Sequence, residues 1–273
     1  MASLEHLHNI RSYELNRALP YFPTSVKILE IGAGTGWQAK KLAELGFHVE
    51  AIELENSLFV QLAENRVWTV TEYNGYKIPF QNQSFDLVFS SNVLEHIPHI
   101  EEFQKEIQRV LKDKGMAIHI LPTASWRFWS SITHYPFVMI RNFNKLMGIN
   151  KKQRQLKKLE NKSFTSLQPE VEATRKGRYS KFNAFFTKLM KAIIPDRHGE
   201  KGNFLTEFYY FSHFRWLKLF HKTGWKLITY YPTKLFYTGY SIIDLNLNMN
   251  IRIKLSHIFG SSCLIYILKK DIK

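Results

Sequence analysis

A single cysteine, Cys263, stands among the 273 residues. The chain can form no intramolecular disulfide and no cysteine cluster to hold zinc. This suits a reducing cytoplasm, and no metal site is expected. Also missing is any apolar run near the roughly 18 residues that a membrane-spanning helix needs. The opening stretch, Met1 to Arg17, is polar and helix-like and has no apolar block of the secretory kind. A soluble or peripheral protein is expected. Acidic residues are scarce: 23 Asp and Glu face 38 Lys and Arg, a formal net charge of +15.

That imbalance is local. Between Thr123 and Gly202 there are 17 Lys or Arg against 5 Asp or Glu, so this stretch carries +12 and the remainder is nearly balanced. A basic block on an otherwise neutral chain points to an anionic partner: a membrane, a nucleic acid or a phosphorylated substrate. Apolar residues are plentiful at 45%, with 21 Phe, 13 Tyr and 6 Trp, enough for a substantial core.

Along the chain, strand-like and helix-like segments alternate. Residues 3–19 read as an amphipathic helix ending at Pro20. Val26 to Ile31 is a buried strand, Trp37 to Leu45 a helix stopped by Gly46, His48 to Glu53 a strand and Asn56 to Asn65 a helix. A short strand is expected near Val67 to Val70, another at Phe85 to Ser90, a helix at Ile100 to Leu111, a turn at Asp113-Lys114-Gly115 and a strand at Met116 to Leu121. This rhythm predicts an α/β, doubly wound, mostly parallel sheet over residues 1–122. It breaks over residues 123–203, a basic, aromatic and helical insert with amphipathic stretches at Tyr135 to Ile149 and Tyr179 to Ile194 and a polar link, Lys151 to Arg178, between them. Residues 204–273 return to the core, with a helix at Ser212 to Thr223 and strands at Trp225 to Tyr231 and Ser262 to Lys269.

The strongest signal is Glu30-Ile31-Gly32-Ala33-Gly34-Thr35-Gly36, where a buried strand runs into three glycines and then a helix. Glycine lets the chain turn sharply and lets a ligand touch the main chain. The helix start adds unpaired N–H groups and a positive dipole. Glu53, about 20 residues past the first glycine at the end of the second strand, has the position and chemistry to accept both hydroxyls of a ribose.

This spacing differs from the dinucleotide pattern and resembles the cofactor loop of class I S-adenosylmethionine (SAM)-dependent methyltransferases. The similarity continues through Asn74-Gly75-Tyr76-Lys77-Ile78-Pro79-Phe80, Ser84 to Val88, Ser91-Asn92-Val93-Leu94-Glu95-His96-Ile97 and Glu106 to Pro122. The similarity is to the subgroup containing ubiquinone and menaquinone methyltransferases, over roughly residues 20–125 with a weaker match at 205–235. The resemblance implies a Rossmann-like seven-stranded fold with SAM as cofactor. Glu30, Gly32, Gly34 and Gly36 would surround its methionine part, Glu53 its ribose and Asn92 its sulfonium end. The family often has Asp where this chain has Asn74, near the adenine amino group; an Asn carbonyl can accept the same bond.

Methyl transfer from a sulfonium asks the protein mainly to align the acceptor and exclude water. An oxygen acceptor gains from a base. His96, beside the Asn92 motif, and His198, in Pro195-Asp196-Arg197-His198-Gly199-Glu200, are the two candidates. The basic insert suits an anionic membrane surface. Its phenylalanines share one helical face, which favours burial over base stacking, so nucleic acid is the weaker reading. The leading expectation is O-methylation of an amphiphilic, lipid-linked or glycan-like acceptor at the cytoplasmic membrane surface. A quinone-type or other small-molecule methyltransferase, an RNA methyltransferase and a non-catalytic SAM-binding protein are the alternatives.

Overall fold

A computed structural model describes residues 4–57, 66–146, 195, 197–203, 205–240 and 247–271. The chain divides into two compact units, Met1–Ser130 with Arg197–Lys273, and Ser131–Asp196.

The first unit is built on one seven-stranded sheet. Its strands are β1 (Lys27–Ile31), β2 (His48–Leu54), β3 (Thr71–Tyr73), β4 (Phe85–Ser91), β5 (Leu111–Pro122), β6 (Trp225–Pro232) and β7 (Cys263–Lys270). Their order across the sheet is β3-β2-β1-β4-β5-β7-β6. The pairs from β3 through β5 are parallel, whereas β7 runs antiparallel to both β5 and β6. The chain order reverses between β1 and β4, so their carboxyl ends open a crevice at the switch point.

Alternating side chains of each strand feed two cores. Leu29 and Ile31 of β1 join Tyr266 and Leu268 of β7 on one face. That face is covered by α3 (Ile100–Val110), through Ile100, Phe103, Ile107 and Val110, and by α5 (His213–Lys222), through Trp216, Leu219 and Phe220. Ile28, Leu87, Phe89, Ile118 and Ile265 face the other way. They meet Ile10, Leu15 and Ala18 of α1 (Leu4–Ala18) and Leu42 of α2 (Trp37–Glu44). Each such buried aliphatic or aromatic side chain contributes about 1.5–3 kcal/mol. Two further helices are α4 (Ala124–Leu146) and α6 (Met249–Phe259).

Several elements differ from expectation. The apolar run Val67 to Val70 forms no strand. Trp68 and Val70 pack against the glycine turn instead, and the edge strand is the more polar Thr71–Tyr73. Asp113 to Gly115 does not end an element. Phe85 pairs with Leu111 and Leu87 with Met116, so residues 112–115 bulge opposite Asp86 inside one long strand. Lys112 Nζ reaches Asp86 Oδ1 at 2.8 Å and pins that bulge. Residues 55–57 form a turn and bend; the helix expected over Asn56 to Asn65 otherwise lies outside the described residues, as do Lys151 to Arg178 and Tyr179 to Ile194. Helix α6 was not expected.

Polarity is inverted in α4. Arg127, Ser130, Thr133, His134 and Val138 are buried, while Phe128, Ile132, Tyr135, Met139 and Phe143 are exposed. Phe137 is half-buried beneath the Arg141 guanidinium at 5.6 Å. No helix among the described residues is long and apolar enough to cross a membrane.

Phe103 is fully buried and 6.2 Å, ring to ring, from Tyr73, so it ties α3 to the sheet. Truncation to alanine should leave a cavity costing about 3–5 kcal/mol, read as a lower urea midpoint with an unchanged slope.

Candidate active site at the glycine turn

The crevice begins where β1 leaves the sheet. Gly32 has φ +72°, and a Cβ there would run into Val93. Gly36, at φ +79°, caps α2, and a Cβ there would lie 2.6 Å from the Trp68 Cβ. Only glycine fits either position without strain. The end of β2 takes up three successive N–H groups of the turn. Gly32 and Ala33 donate to the Ile52 carbonyl at 2.9 and 3.1 Å, and Gly34 donates to Glu53 Oε2 at 2.7 Å. Glu53 Oε1 accepts from its neighbour's amide, Leu54 N–H, at 3.0 Å. Each carboxylate oxygen has capacity for a further hydrogen bond.

Glu30 lies beneath the turn, 2% exposed. Burial pushes its pKa up to about 8; the Ala39 N–H pulls the other way and the nearby Glu53 adds to the rise. Among the described residues its Oε2 meets no hydrogen-bond donor. A buried, unsatisfied carboxylate oxygen is costly and is suited to a cationic ligand group.

Two recesses share Gly32, Asn92 and Val93. The smaller, about 160 Å³, is bounded by the turn, Gln38 and Asn92, and on its far side by His8 and Arg11 of α1. His8 stacks on Trp37 with 4.6 Å between ring centres. Arg11 pairs with the buried Glu14 at 2.6 Å, and Glu14 also accepts from Tyr237 Oη at 2.9 Å. The larger recess, about 550 Å³, is lined by Glu53, Asn74, Tyr76, Asn92, His96 and His99. Tyr76 stacks on His99 at 4.3 Å and supplies an aromatic wall.

Asn74 lies at this recess, but its Oδ1 already accepts from Tyr76 N–H at 2.9 Å and Lys77 N–H at 3.2 Å. It shapes the turn, and its amide NH₂ is the part with donors left to offer. Asn92 takes a left-handed backbone, φ +56°, at the junction of the recesses. Its Oδ1 accepts from Cys263 Sγ at 3.3 Å.

His96 lines the larger recess, and the fold brings His198 to 4.9 Å from it, ring centre to ring centre. Protein crowding in this concave mouth lowers both imidazole pKa values, although 45% of the His96 side chain stays exposed. For His198 burial is the largest cause, followed by His96 and Arg127; for His96, Glu200 opposes the shift. Both rings are neutral at pH 7, each with a lone pair to offer. The recess walls from α1 and the stacking of Tyr76 on His99 escaped sequence reasoning, because α1 carries no motif and the Asn74 to Phe80 motif gives no sign of a partner ring at His99.

The description of one family, "Methyltransferase domain", matches residues 29–119. Among curated proteins, the chain is 28% identical over 120 residues to the sterol 4-C-methyltransferase strm-1 of Caenorhabditis elegans, covering 41% of this chain and 34% of that protein. It is 28% identical over 122 residues to a ubiquinone biosynthesis O-methyltransferase of Rickettsia bellii, covering 41% and 51%. The matches thus span a third to a half of these relatives. The fold is similar to that of a chain in the Haloferax volcanii complex between the Trm112 methyltransferase activator and a methyltransferase candidate. There the TM-score is 0.53 at 13% identity, covering 98% of this chain and 93% of that one.

The raised pKa of Glu30 sets a pH dependence. Folding favours its protonated form, so its contribution to stability is complete below pH ~4.5 and is lost as pH rises through about 8. Glu30→Gln should flatten the fall in unfolding free energy across that window, by up to ~1.4 kcal/mol per pH unit. Urea unfolding at a series of pH values checks this; an unchanged slope in the variant refutes it.

Proposed function

We propose that the protein, whose residues 29–119 match a methyltransferase domain, uses SAM to methylate a hydroxyl of an amphiphilic acceptor, lipid-linked or glycan-like, at the cytoplasmic membrane surface. The observation that carries the cofactor reading is the pair of recesses that share Gly32, Asn92 and Val93, one bounded by Arg11 and the glycine turn, the other by Glu53 and Tyr76. Bound SAM supplies a methyl group on a sulfonium whose leaving thioether is neutral. The residues present fit it. Glu53 accepts ribose hydroxyls, and Tyr76 and Asn74 bound the end for the base. The orphaned Glu30 oxygen suits the ammonium, and Arg11 suits the carboxylate. Asn92 and Val93 stand where the two recesses meet, the place for the sulfonium.

What the protein adds is alignment, exclusion of water and handling of the acceptor's proton. His96 and His198 are the groups proposed for that proton. Replacing either by alanine should lower turnover by about 10²–10⁴-fold while S-adenosylhomocysteine still binds. Weakened binding with intact turnover would exclude them.

The amphiphilic acceptor is supported by the exposed stripe Phe128, Ile132, Tyr135, Met139 and Phe143 on α4, which belongs to the sequence stretch Thr123 to Gly202 carrying +12. Apolar residues flanked by Lys and Arg suit the boundary of an anionic bilayer. Two of the relatives, one named for a sterol and one for ubiquinone biosynthesis, are compatible with an apolar acceptor, while others are named for phosphoethanolamine and for glycine. The ubiquinone-biosynthesis relative favours a quinone-type small molecule as the alternative.

Transfer of tritiated methyl from SAM into lipid, glycan, small-molecule and RNA fractions of the host separates these readings. Label is expected in the lipid or glycan fraction, and Glu53→Ala should abolish it. Label confined to RNA would overturn the acceptor assignment, and label nowhere would favour a non-catalytic SAM-binding protein. In parallel, the protein should pellet with phosphatidylglycerol–phosphatidylcholine vesicles at low salt. Met139→Glu with Phe143→Glu should weaken that association by about tenfold or more.

A further inference from the structure

We propose that Glu95, His96 and His198 form a binding site for one divalent transition-metal cation of the zinc or cobalt kind, at the edge of the larger recess. One donor atom from each of the three lies within 4.8 Å of the other two. Glu95 Oε1 is 3.7 Å from His96 Nε2. Donors around a single ion at ~2.1 Å stand roughly 3.4 Å apart, so a small inward turn of the two exposed imidazoles completes the set. Two imidazole nitrogens and one carboxylate are a borderline-soft donor set, suited to zinc or cobalt more than to magnesium or calcium.

The second observation is Glu95 itself. Its side chain is 1% exposed, and among the described residues neither carboxylate oxygen meets a hydrogen-bond donor from another residue. A buried carboxylate left in this way requires a proton or a cation. The two cationic side chains that bear on it or on His198 from nearby each pair with another buried carboxylate, Arg11 with Glu14 and Arg127 with Glu207 at 2.8 Å, and Glu14 adds a further negative charge beside Glu95.

The third is the support behind the donors. Glu207 is fully buried, and its Oε1 accepts from both His198 N–H and Gly199 N–H at 2.7 Å. Glu200 N–H then donates to the Glu95 carbonyl at 2.9 Å. A Cβ on Gly199 would lie 3.2 Å from that same carbonyl, so the two segments approach closely. Trp126 packs on the His198 ring at 4.5 Å. A surface turn has no need of a buried Arg–Glu pair to hold two of its amides. A ligand site does, because its donors must be held in place before the ion arrives.

Three protein donors leave coordination positions open. His96 belongs both to the triad and to the recess wall, so an acceptor hydroxyl there would gain a Lewis acid that eases loss of its proton to water. That role rests on the methyltransferase reading and would replace direct proton uptake by the two imidazoles, whose lone pairs the ion would take; the metal site stands on its own geometry.

The test uses the full chain, stripped with EDTA and desalted, then titrated with cobalt(II) chloride. One equivalent should bind with visible d–d absorption, and zinc should displace it. Glu95→Gln, isosteric, and His198→Ala, at an exposed ring, should each weaken cobalt binding by at least about 10–100-fold. Circular dichroism and S-adenosylhomocysteine calorimetry report whether each variant is folded. No saturable cobalt absorption in the wild type, or wild-type absorption in both variants, overturns the site. Cobalt binding without S-adenosylhomocysteine binding upholds the site and removes the acceptor role. S-adenosylhomocysteine binding without cobalt leaves the cofactor reading and sinks the metal.

Discussion

Three consecutive amides, those of Gly32, Ala33 and Gly34, end on two residues of β2, the Ile52 carbonyl and the Glu53 carboxylate. Much of the crevice depends on that tie. It turns β1 away from the sheet, sets the start of α2 and fixes the Glu53 carboxylate against the turn. It also encloses Glu30 so completely that the carboxyl is held largely protonated near neutral pH. An amide donor on a carboxylate is a strong, charge-assisted bond. Here it is made by a carboxylate that also lines the larger recess, so one side chain both builds the crevice and borders what can enter it.

A second constraint works at the far end of the chain. Glu207, buried with Arg127, takes the amides of His198 and Gly199. Residue 198 is about a hundred positions beyond His96, and most of the intervening chain belongs to the other compact unit. Without an anchor at the return, the two imidazoles would have no reason to meet. A buried ion pair is weak evidence for stability, because desolvation offsets much of its attraction. Its retention at this point is better explained by position than by stability.

The division between what the sequence displays and what it hides follows locality. The strand-to-glycine turn, Glu53 and Asn92 are legible because their geometry is set by neighbours within a few residues and by the alternation of β1, β2 and β4. The edge strand Thr71–Tyr73 is not, since it is short and mostly exposed, and the apolar run before it is spent on packing the glycine turn. The bulge at residues 112–115 reads as a turn because glycine after Asp and Lys punctuates the chain; only pairing with β4 reveals a continuing strand. Glu95, Arg11 and the Glu207 anchor have no spacing signature. Their roles come from burial and from partners remote in sequence, such as Tyr237 with Glu14. Asn74 is a mixed case. Its place at the recess was legible, but its carbonyl is occupied by the Tyr76 and Lys77 amides. Asparagine makes that turn without adding a negative charge beside Glu53.

Helix α4 runs against the ordinary logic of a core. Amphipathic helices turn their apolar stripe inward because burial of each large side chain is favourable by a few kcal/mol at most but adds up along the helix. In α4 the buried positions carry Arg127, Ser130, Thr133 and His134, and the stripe with Phe128, Met139 and Phe143 faces out. Arg127 explains part of this, since its pairing with Glu207 fixes which face of the first turn is buried.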